Sequence, residues 1–220
     1  MKNHYARHSL LLGLWLILCA ANAMADAAPV AMLLKASGKV TILMEDDTAK
    51  GRPPPPFAKL APGALLELAG DAQLQLVYFA NGRKEQWWGP ARIKISANAS
   101  EGLSDGISQP RISQLPKGAG LKLSRLPESI DIATIQRGGL IVVRGAPRKR
   151  TNPVPPALIP QWDSYKTLRK TSPQNDWTAD LYWLGVLLEA GEDALYQSHL
   201  KQTLARFPDL AAYLKEPSPP

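Results

Sequence analysis

Gln73-Leu74-Gln75-Leu76-Val77-Tyr78-Phe79 runs into Ala80-Asn81-Gly82-Arg83 and on into Lys84-Glu85-Gln86-Trp87-Trp88-Gly89-Pro90-Ala91-Arg92-Ile93-Lys94-Ile95. Apolar and polar residues alternate at both ends, the period of a strand with one buried face. Asn81-Gly82 offers two residues that tolerate positive φ, as a tight hairpin turn requires. The stretch therefore reads as an antiparallel ribbon at the centre of a β-sheet core. Consecutive strand residues face opposite sides, so one of Trp87 and Trp88 is expected in the core. The other is expected on the outer face near Arg83, Lys84 and Arg92, placed to stack on a sugar ring or a partner surface.

Upstream, Val30 to Ala36 and Gly38 to Met44 read as two strands joined at Ser37-Gly38. Glu45-Asp46-Asp47 reads as a polar loop. It lacks the alternate acidic positions and following glycine of a calcium loop. Four consecutive prolines, Pro53 to Pro56, belong in an extended surface loop, because proline lacks the N–H that a helix or sheet interior needs. Ala64 to Leu68 reads as a short strand. Asn98 to Gly120 reads as a long turn-rich loop with one short strand, and Leu121 to Leu126 alternates again. Ile130-Asp131-Ile132 and Gly139 to Gly145 read as two further strands.

Arg144, Arg148, Lys149 and Arg150 form the densest basic cluster, followed by Pro153, Pro155, Pro156 and Pro160. Basic residues and prolines at the end of a strand-rich region mark a linker. The period then changes. Asp176 is placed to cap a helix from Trp177 to about Ala190, with Trp177, Leu181, Leu184 and Leu188 on one face and Leu187 beside them. Gly191 suits the left-handed position after the last turn. A second helix is expected from Glu192 to about Arg206, stopped by Pro208, with a short third helix around Leu210, Tyr213 and Leu214. The expected fold is α+β, a mainly antiparallel β domain followed by a small α-helical hairpin. Its parts are residues 1–25 as an export signal, 26–146 as the β-rich domain, 147–175 as a Pro-rich basic linker and 176–216 as the hairpin.

The export signal rests on Lys2 and Arg7, then the apolar run Leu10 to Leu18, then Ala23-Met24-Ala25 as the cleavage site. An uncleaved anchor is the alternative, although the apolar run is well short of the ~20 residues that span a bilayer. Cleavage after Ala25 predicts a periplasmic protein. Cys19, the only cysteine, leaves with the signal, as do His4 and His8, so His199 remains alone. That composition excludes disulfides, thiolate metal sites, a cysteine nucleophile and His-pair zinc motifs in the mature chain. Loss of Lys2 and Arg7 lowers the basic count from 26 to 24 against 19 acids, a net +5. A modest positive charge outside the cytoplasm suits anionic envelope polymers better than nucleic acid.

Gly38-Lys39-Val40-Thr41-Ile42, Leu60-Ala61-Pro62-Gly63-Ala64-Leu65-Leu66, Gly70-Asp71-Ala72-Gln73-Leu74-Gln75-Leu76, Asn81-Gly82 and Trp88-Gly89-Pro90-Ala91-Arg92-Ile93-Lys94-Ile95 occur in that order. This pattern of turns and alternating strands resembles the FecR-type periplasmic β domain of bacterial envelope proteins, over residues 30–100. The resemblance implies a non-catalytic β module, used in signalling or binding, with no catalytic residues to carry over. The C-terminal part resembles a single helical hairpin of the tetratricopeptide type. One such hairpin cannot bury a core alone, so it is expected to pack on the β domain or dock on a membrane complex.

Ser198-His199-Leu200-Lys201 has the Ser-x-x-Lys spacing of penicillin-recognising enzymes, without the accompanying Lys-Thr-Gly or Ser-Asp-Asn. No phosphate-binding glycine loop or dinucleotide fingerprint occurs. No catalytic residue, metal or cofactor is therefore expected. The expected function is an exported, non-catalytic module that recognises an envelope protein or an anionic polysaccharide such as peptidoglycan. Its candidate surface is Arg83, Lys84, Trp87, Trp88 and Arg92 of the ribbon, with Arg148, Lys149 and Arg150. The alternative is a small periplasmic glycan hydrolase with unrecognised carboxylates, whose spacing would be spatial rather than sequential.

Overall fold

The structure, a computed structural model, describes residues 27–44, 47–103, 109–127 and 154–214. The export-signal residues, Arg148 to Arg150 and the two strands expected between 130 and 145 lie outside the described residues. The α+β class holds. Among the described residues ten strands form two antiparallel sheets of five, and helices follow.

In chain order the strands are β1 (Ala31–Ser37), β2 (Val40–Met44), β3 (Asp47–Arg52), β4 (Lys59–Leu60), β5 (Leu65–Leu68), β6 (Gln73–Tyr78), β7 (Arg83–Trp88), β8 (Ala91–Ile95), β9 (Ser100–Gly102) and β10 (Arg111–Gln114). One sheet runs β10-β7-β6-β1-β4 and the other β3-β2-β5-β8-β9. One alternating set of residues along these strands, largely apolar, faces the opposite sheet. Leu33, Leu74, Leu76, Tyr78 and Trp87 of the first sheet share a buried core with Val40, Leu66, Leu68, Ile93 and Ile95 of the second. Trp87 is inside this core and Trp88 is half-buried outside it, as the alternation requires.

The hairpin between β6 and β7 differs from a two-residue turn. β6 ends at Tyr78, Phe79 turns into the apolar core, and only Gly82 takes a positive φ, 66°. A four-residue loop needs just one left-handed residue at its end. The Asn81 carboxamide oxygen accepts the Arg83 N–H at 2.9 Å, which closes the turn locally.

The first sheet has a second apolar face. Met32, Leu34, Val77 and Phe79 join a separate core built with the helices. These are α1 (Ala119–Ser124), α2 (Ile159–Thr171, entered through a 3-10 turn at Pro156–Leu158), α3 (Thr178–Glu189), α4 (Asp193–Arg206) and α5 (Pro208–Tyr213). The fold thus has three layers, sheet on sheet on helices.

Two expectations are corrected here. Leu121 to Leu126 is not a strand, because α1 occupies Ala119–Ser124. Ala119, Leu123 and Leu126 are buried while Leu121 is 58% exposed, so helical spacing rather than alternation selects the buried face. Residues 147–175 are not wholly linker, because α2 fills most of the described part. Pro160 stands in the first turn of α2, where the missing N–H costs nothing. Trp162, Tyr165 and Leu168 recur along one face, and the two aromatic rings lie 5.0 and 6.0 Å from the Trp183 ring of α3.

The remaining helices fall within a residue or two of their expected bounds. Gly191 takes φ 68° after α3, and the Glu192 N–H reaches back to the Leu187 carbonyl at 3.0 Å. Rather than showing one apolar face, α3 is buried on all sides from Thr178 to Leu187. It is the central helix, with α1 across it and α2 and α4 alongside. Phe57 ends the proline run with φ 58° and no exposure, its ring edge-on to Tyr213 of α5 at 6.3 Å. The left-handed backbone costs roughly 1–2 kcal/mol, and burying the ring recovers about as much.

At the α1–α3 crossing, a Cβ on Gly185 would stand 2.2 Å from the Lys122 carbonyl oxygen. Gly185→Ala is expected to destabilise the fold by about 1–3 kcal/mol, although alanine is the better helix former by ~1 kcal/mol. A thermal melt in which the variant is as stable as the parent would show that the two helices do not approach this closely.

Candidate functional site

The first sheet's outer face is only partly covered by helices. Where the cover ends, a cleft of about 510 Å³ opens between the sheet and the loop joining α2 to α3. That volume lies within the range of small-ligand sites. Its floor is polar because strand alternation puts Gln73 and Gln75 of β6 and Lys84 and Gln86 of β7 on this face. Its roof is the segment from Thr171 to Asp176.

The floor is ordered by register. Lys35 of β1 is opposite Gln75 of β6, Gln75 is opposite Gln86 of β7, and Gln86 is opposite Arg111 of β10. Directly opposed residues project to the same face. The four side chains therefore form one row across four strands, and all four line the cleft. In the next row Ser37 is opposite Gln73 and Gln73 is opposite Trp88.

Lys35 reaches this face through an irregularity. The β1–β6 register shifts between Leu33 and Lys35, which leaves Leu34 without an opposing residue. A bulge of this kind resets the alternation. Leu34 still points into the helical core, Lys35 enters the cleft, and Ala36 returns towards the other sheet. The Leu34 carbonyl accepts the Trp177 indole N–H at 3.2 Å, and the Lys35 ammonium lies 4.7 Å from the Trp177 ring centre.

At the back of the cleft the Lys84 ammonium pairs with the Asp176 carboxylate and also meets Thr178 Oγ1 at 3.1 Å. Asp176 Oδ1 accepts the Thr178 N–H at 2.9 Å and its hydroxyl at 2.5 Å. Asp176 thus supplies the capping oxygen from one residue before Trp177, which holds the cap position of α3. Burial pushes the Asp176 carboxyl up. The Lys84 charge and the hydrogen bonds from Lys84 and Thr178 outweigh it and hold the group below its ordinary value of 3.8.

Arg169 of α2 fixes the roof. Its guanidinium donates to the carbonyls of Pro173 at 3.3 Å, Gln174 at 3.2 Å and Asp176 at 2.9 Å, and lies over the Phe207 ring at 5.2 Å. Behind it Asp180, 1% exposed, accepts from Tyr165 Oη and Arg206, each at 3.2 Å. Arg169 Nε is 3.9 Å from Asp180, and His199 Nε2 is 3.4 Å away without the alignment of a hydrogen bond. His199 is an interface residue of the helical layer, not part of the cleft.

The residues expected to form one surface are divided. Trp88 lies on the cleft side, beside the floor row. Lys84 is also on that side but is 8% exposed and occupied by Asp176. Trp87 is in the sandwich core, donating to Glu85 at 3.1 Å and Ser100 at 2.8 Å. Arg83 pairs with the fully buried Glu85, which also accepts from Ser100 and so ties β7 to β9 of the other sheet. Arg92 is opposite Glu67 on the far face of the second sheet. Sequence reasoning missed Lys35, Gln75, Gln86 and Arg111. The alternation of Gln73 and Gln75 was visible, but which residues lie across from them was not.

Among the described residues that line the cleft, Asp176 is the one carboxylate. No group of three or more potential metal-ligating side chains occurs among the described residues, and no helix there is long and apolar enough to cross a membrane. The chain matches no family model, no curated protein and no solved structure.

Two expectations follow from this geometry. Asp176→Asn or Lys84→Met alone leaves one buried charge unpaired and is expected to cost about 3–5 kcal/mol, with the double replacement costing less than the sum. Because the folded-state pKa of Asp176 is depressed, its contribution is complete above 3.8. It fades as pH falls through the lower folded value, so denaturant titrations should show an acid limb that Asp176→Asn lacks. Separately, Arg169→Lys removes the fork that holds three carbonyls. Hydrogen exchange in residues 173–176 is expected to accelerate while β6 and β7 remain protected; unchanged exchange would show that the roof is held otherwise.

Proposed function

We propose that the chain is an exported, non-catalytic binding module of the bacterial envelope, and that the cleft between the first sheet and the helical layer takes an anionic polymer. The observation that carries this reading is the cleft's charge. Lys35 and Arg111 stand on its floor without a carboxylate partner among the described residues, and the single lining acid is neutralised by Lys84. Between the two cations lie amide and hydroxyl groups that donate and accept hydrogen bonds. Such a site attracts anions and orients them by hydrogen bonding. The likeness of residues 30–100 to a non-catalytic periplasmic β module, and the segment from Lys2 to Ala25 read as an export signal, support the same reading.

The glycan-hydrolase alternative calls for two carboxyl groups facing one bond. Among the described residues the cleft offers Asp176 alone, and that group is held ionised and engaged by Lys84 and Thr178. Retention rather than turnover is the chemistry these side chains support.

The purified full chain is expected to bind sedimented peptidoglycan or an acidic polysaccharide at low salt and to release it as ionic strength rises. Lys35→Gln with Arg111→Gln is expected to abolish most retention and to lower the melting temperature only slightly, since neither cation has a carboxylate partner among the described residues and Lys35 gives up only its contact with the Trp177 ring. Undiminished retention by that double variant would place the binding surface elsewhere.

A further inference from the structure

The row of four side chains across the sheet has a shape as well as a charge, and the shape selects among anionic polymers. Lys35, Gln75, Gln86 and Arg111 are in register on four adjacent strands. Neighbouring strands are about 4.8 Å apart, so the row spans roughly 14 Å from first to last. It reads cation, amide, amide, cation. Beside it, displaced by one pleat, Trp88 presents a half-buried indole opposite Gln73. The loop held by Arg169 closes the site from above with Ser172, Pro173 and Asn175.

We infer that this row is a linear set of subsites for a carboxylate-bearing oligosaccharide lying across the strands, one sugar ring to roughly one strand spacing. The inference rests on the binding reading and names its ligand. Each amide donates two hydrogens and accepts at its oxygen, the mixture that ring hydroxyls demand. A phosphate chain has acceptors only and would leave the acceptor oxygens of Gln75 and Gln86 without donors. The terminal cations fit acidic substituents at the ends of a short segment, Arg111 by its two-pronged geometry and Lys35 as a point charge. The Trp88 indole matches the C–H face of a pyranose ring. A protein segment would need a run of side-chain pockets along the row, or would pair with the sheet edge at β10, which lies at the end of the row and not along it; β6, β7 and β1 have strand partners on both sides.

The test uses the purified full chain and calorimetric titration with three probes. These are galacturonate oligomers of two to six rings, the same oligomers with carboxyls reduced to alcohols, and linear polyphosphate. Affinity for the uronates is expected to rise with length and level off at about three to four rings, the span of the row. Reduction of the carboxyls is expected to cost about tenfold or more. Gln86→Ala should weaken uronate binding several-fold, about one hydrogen bond, and polyphosphate binding less, because only the uronate also donates to the amide oxygen. Trp88→Ala should remove the fluorescence response to uronates; Arg111→Gln, at an exposed strand, repeats the test without risk to the fold. Polyphosphate binding as tightly as uronate, or no loss in Gln86→Ala and Trp88→Ala, overturns the oligosaccharide assignment and leaves the anion-binding reading in place. Binding by neither uronate nor polyphosphate overturns both.

Discussion

One extra residue in β1 governs the rest of the molecule. Leu34 has no partner across the ladder, and three consequences follow from its insertion. Its side chain adds to the apolar face that receives the helices. Its carbonyl is taken by the Trp177 indole. The residue after it, Lys35, is turned out of the sandwich and into the cleft. In an unbroken strand Lys35 would face the opposing sheet and Ala36 the helices, the inversion that a one-residue slip imposes. A charged side chain would then be buried among leucines at a cost of several kcal/mol. The bulge is the backbone's solution to carrying an apolar run of four, Ala31 to Leu34, directly into a polar stretch.

Apolar burial and polar pairing divide the work of joining helices to sheet. The shared core of Met32, Leu34, Val77 and Phe79 with α1, α3 and α5 provides the magnitude, since each fully buried side chain contributes about 1.5–3 kcal/mol. It fixes no register, because leucines slide past one another at little cost. The Trp177 indole on one carbonyl and the Lys84–Asp176 pair are directional, and they meet the sheet at β1 and β7, the two strands that flank β6. Two such contacts at either side of β6 determine both position and rotation of α3.

Much of the sandwich was legible because its signal is local. Alternation in Gln73 to Tyr78 and Ala91 to Ile95 identifies β6 and β8, and Asn81-Gly82 identifies the turn, if not its length. The helices after Asp176 were legible from caps and period. What stayed hidden depends on pairing. Pro156 and Pro160 mark a linker by composition, yet they start α2, and only the stacking of Trp162 and Tyr165 on Trp183 shows why. Arg111 lies in a stretch whose composition reads as loop. Its place beside Gln86 is a fact about two strands that are 25 residues apart, and no window of sequence contains it. The basic ribbon residues suggested one patch because they are close in the chain. Alternation and the change of sheet between β7 and β8 distribute them over the cleft, the core and the far face.

The arrangement of charge around the roof bears on what kind of site this is. A general acid or base must exchange its proton near the working pH, and Asp176 is held on the ionised side by Lys84 and by two donors from Thr178. Its hydrogen-bonding capacity goes to the start of α3. Arg169 is likewise committed, with three loop carbonyls before it and Asp180 behind. The groups nearest the cleft's back wall are therefore structural, and what faces the open space includes amides, hydroxyls and two cations, Lys35 and Arg111, without a carboxylate partner among the described residues. A roof held in place over such a floor lowers the ordering cost of binding. Preorganised hydrogen bonding of this kind is the feature on which the proposed binding reading rests.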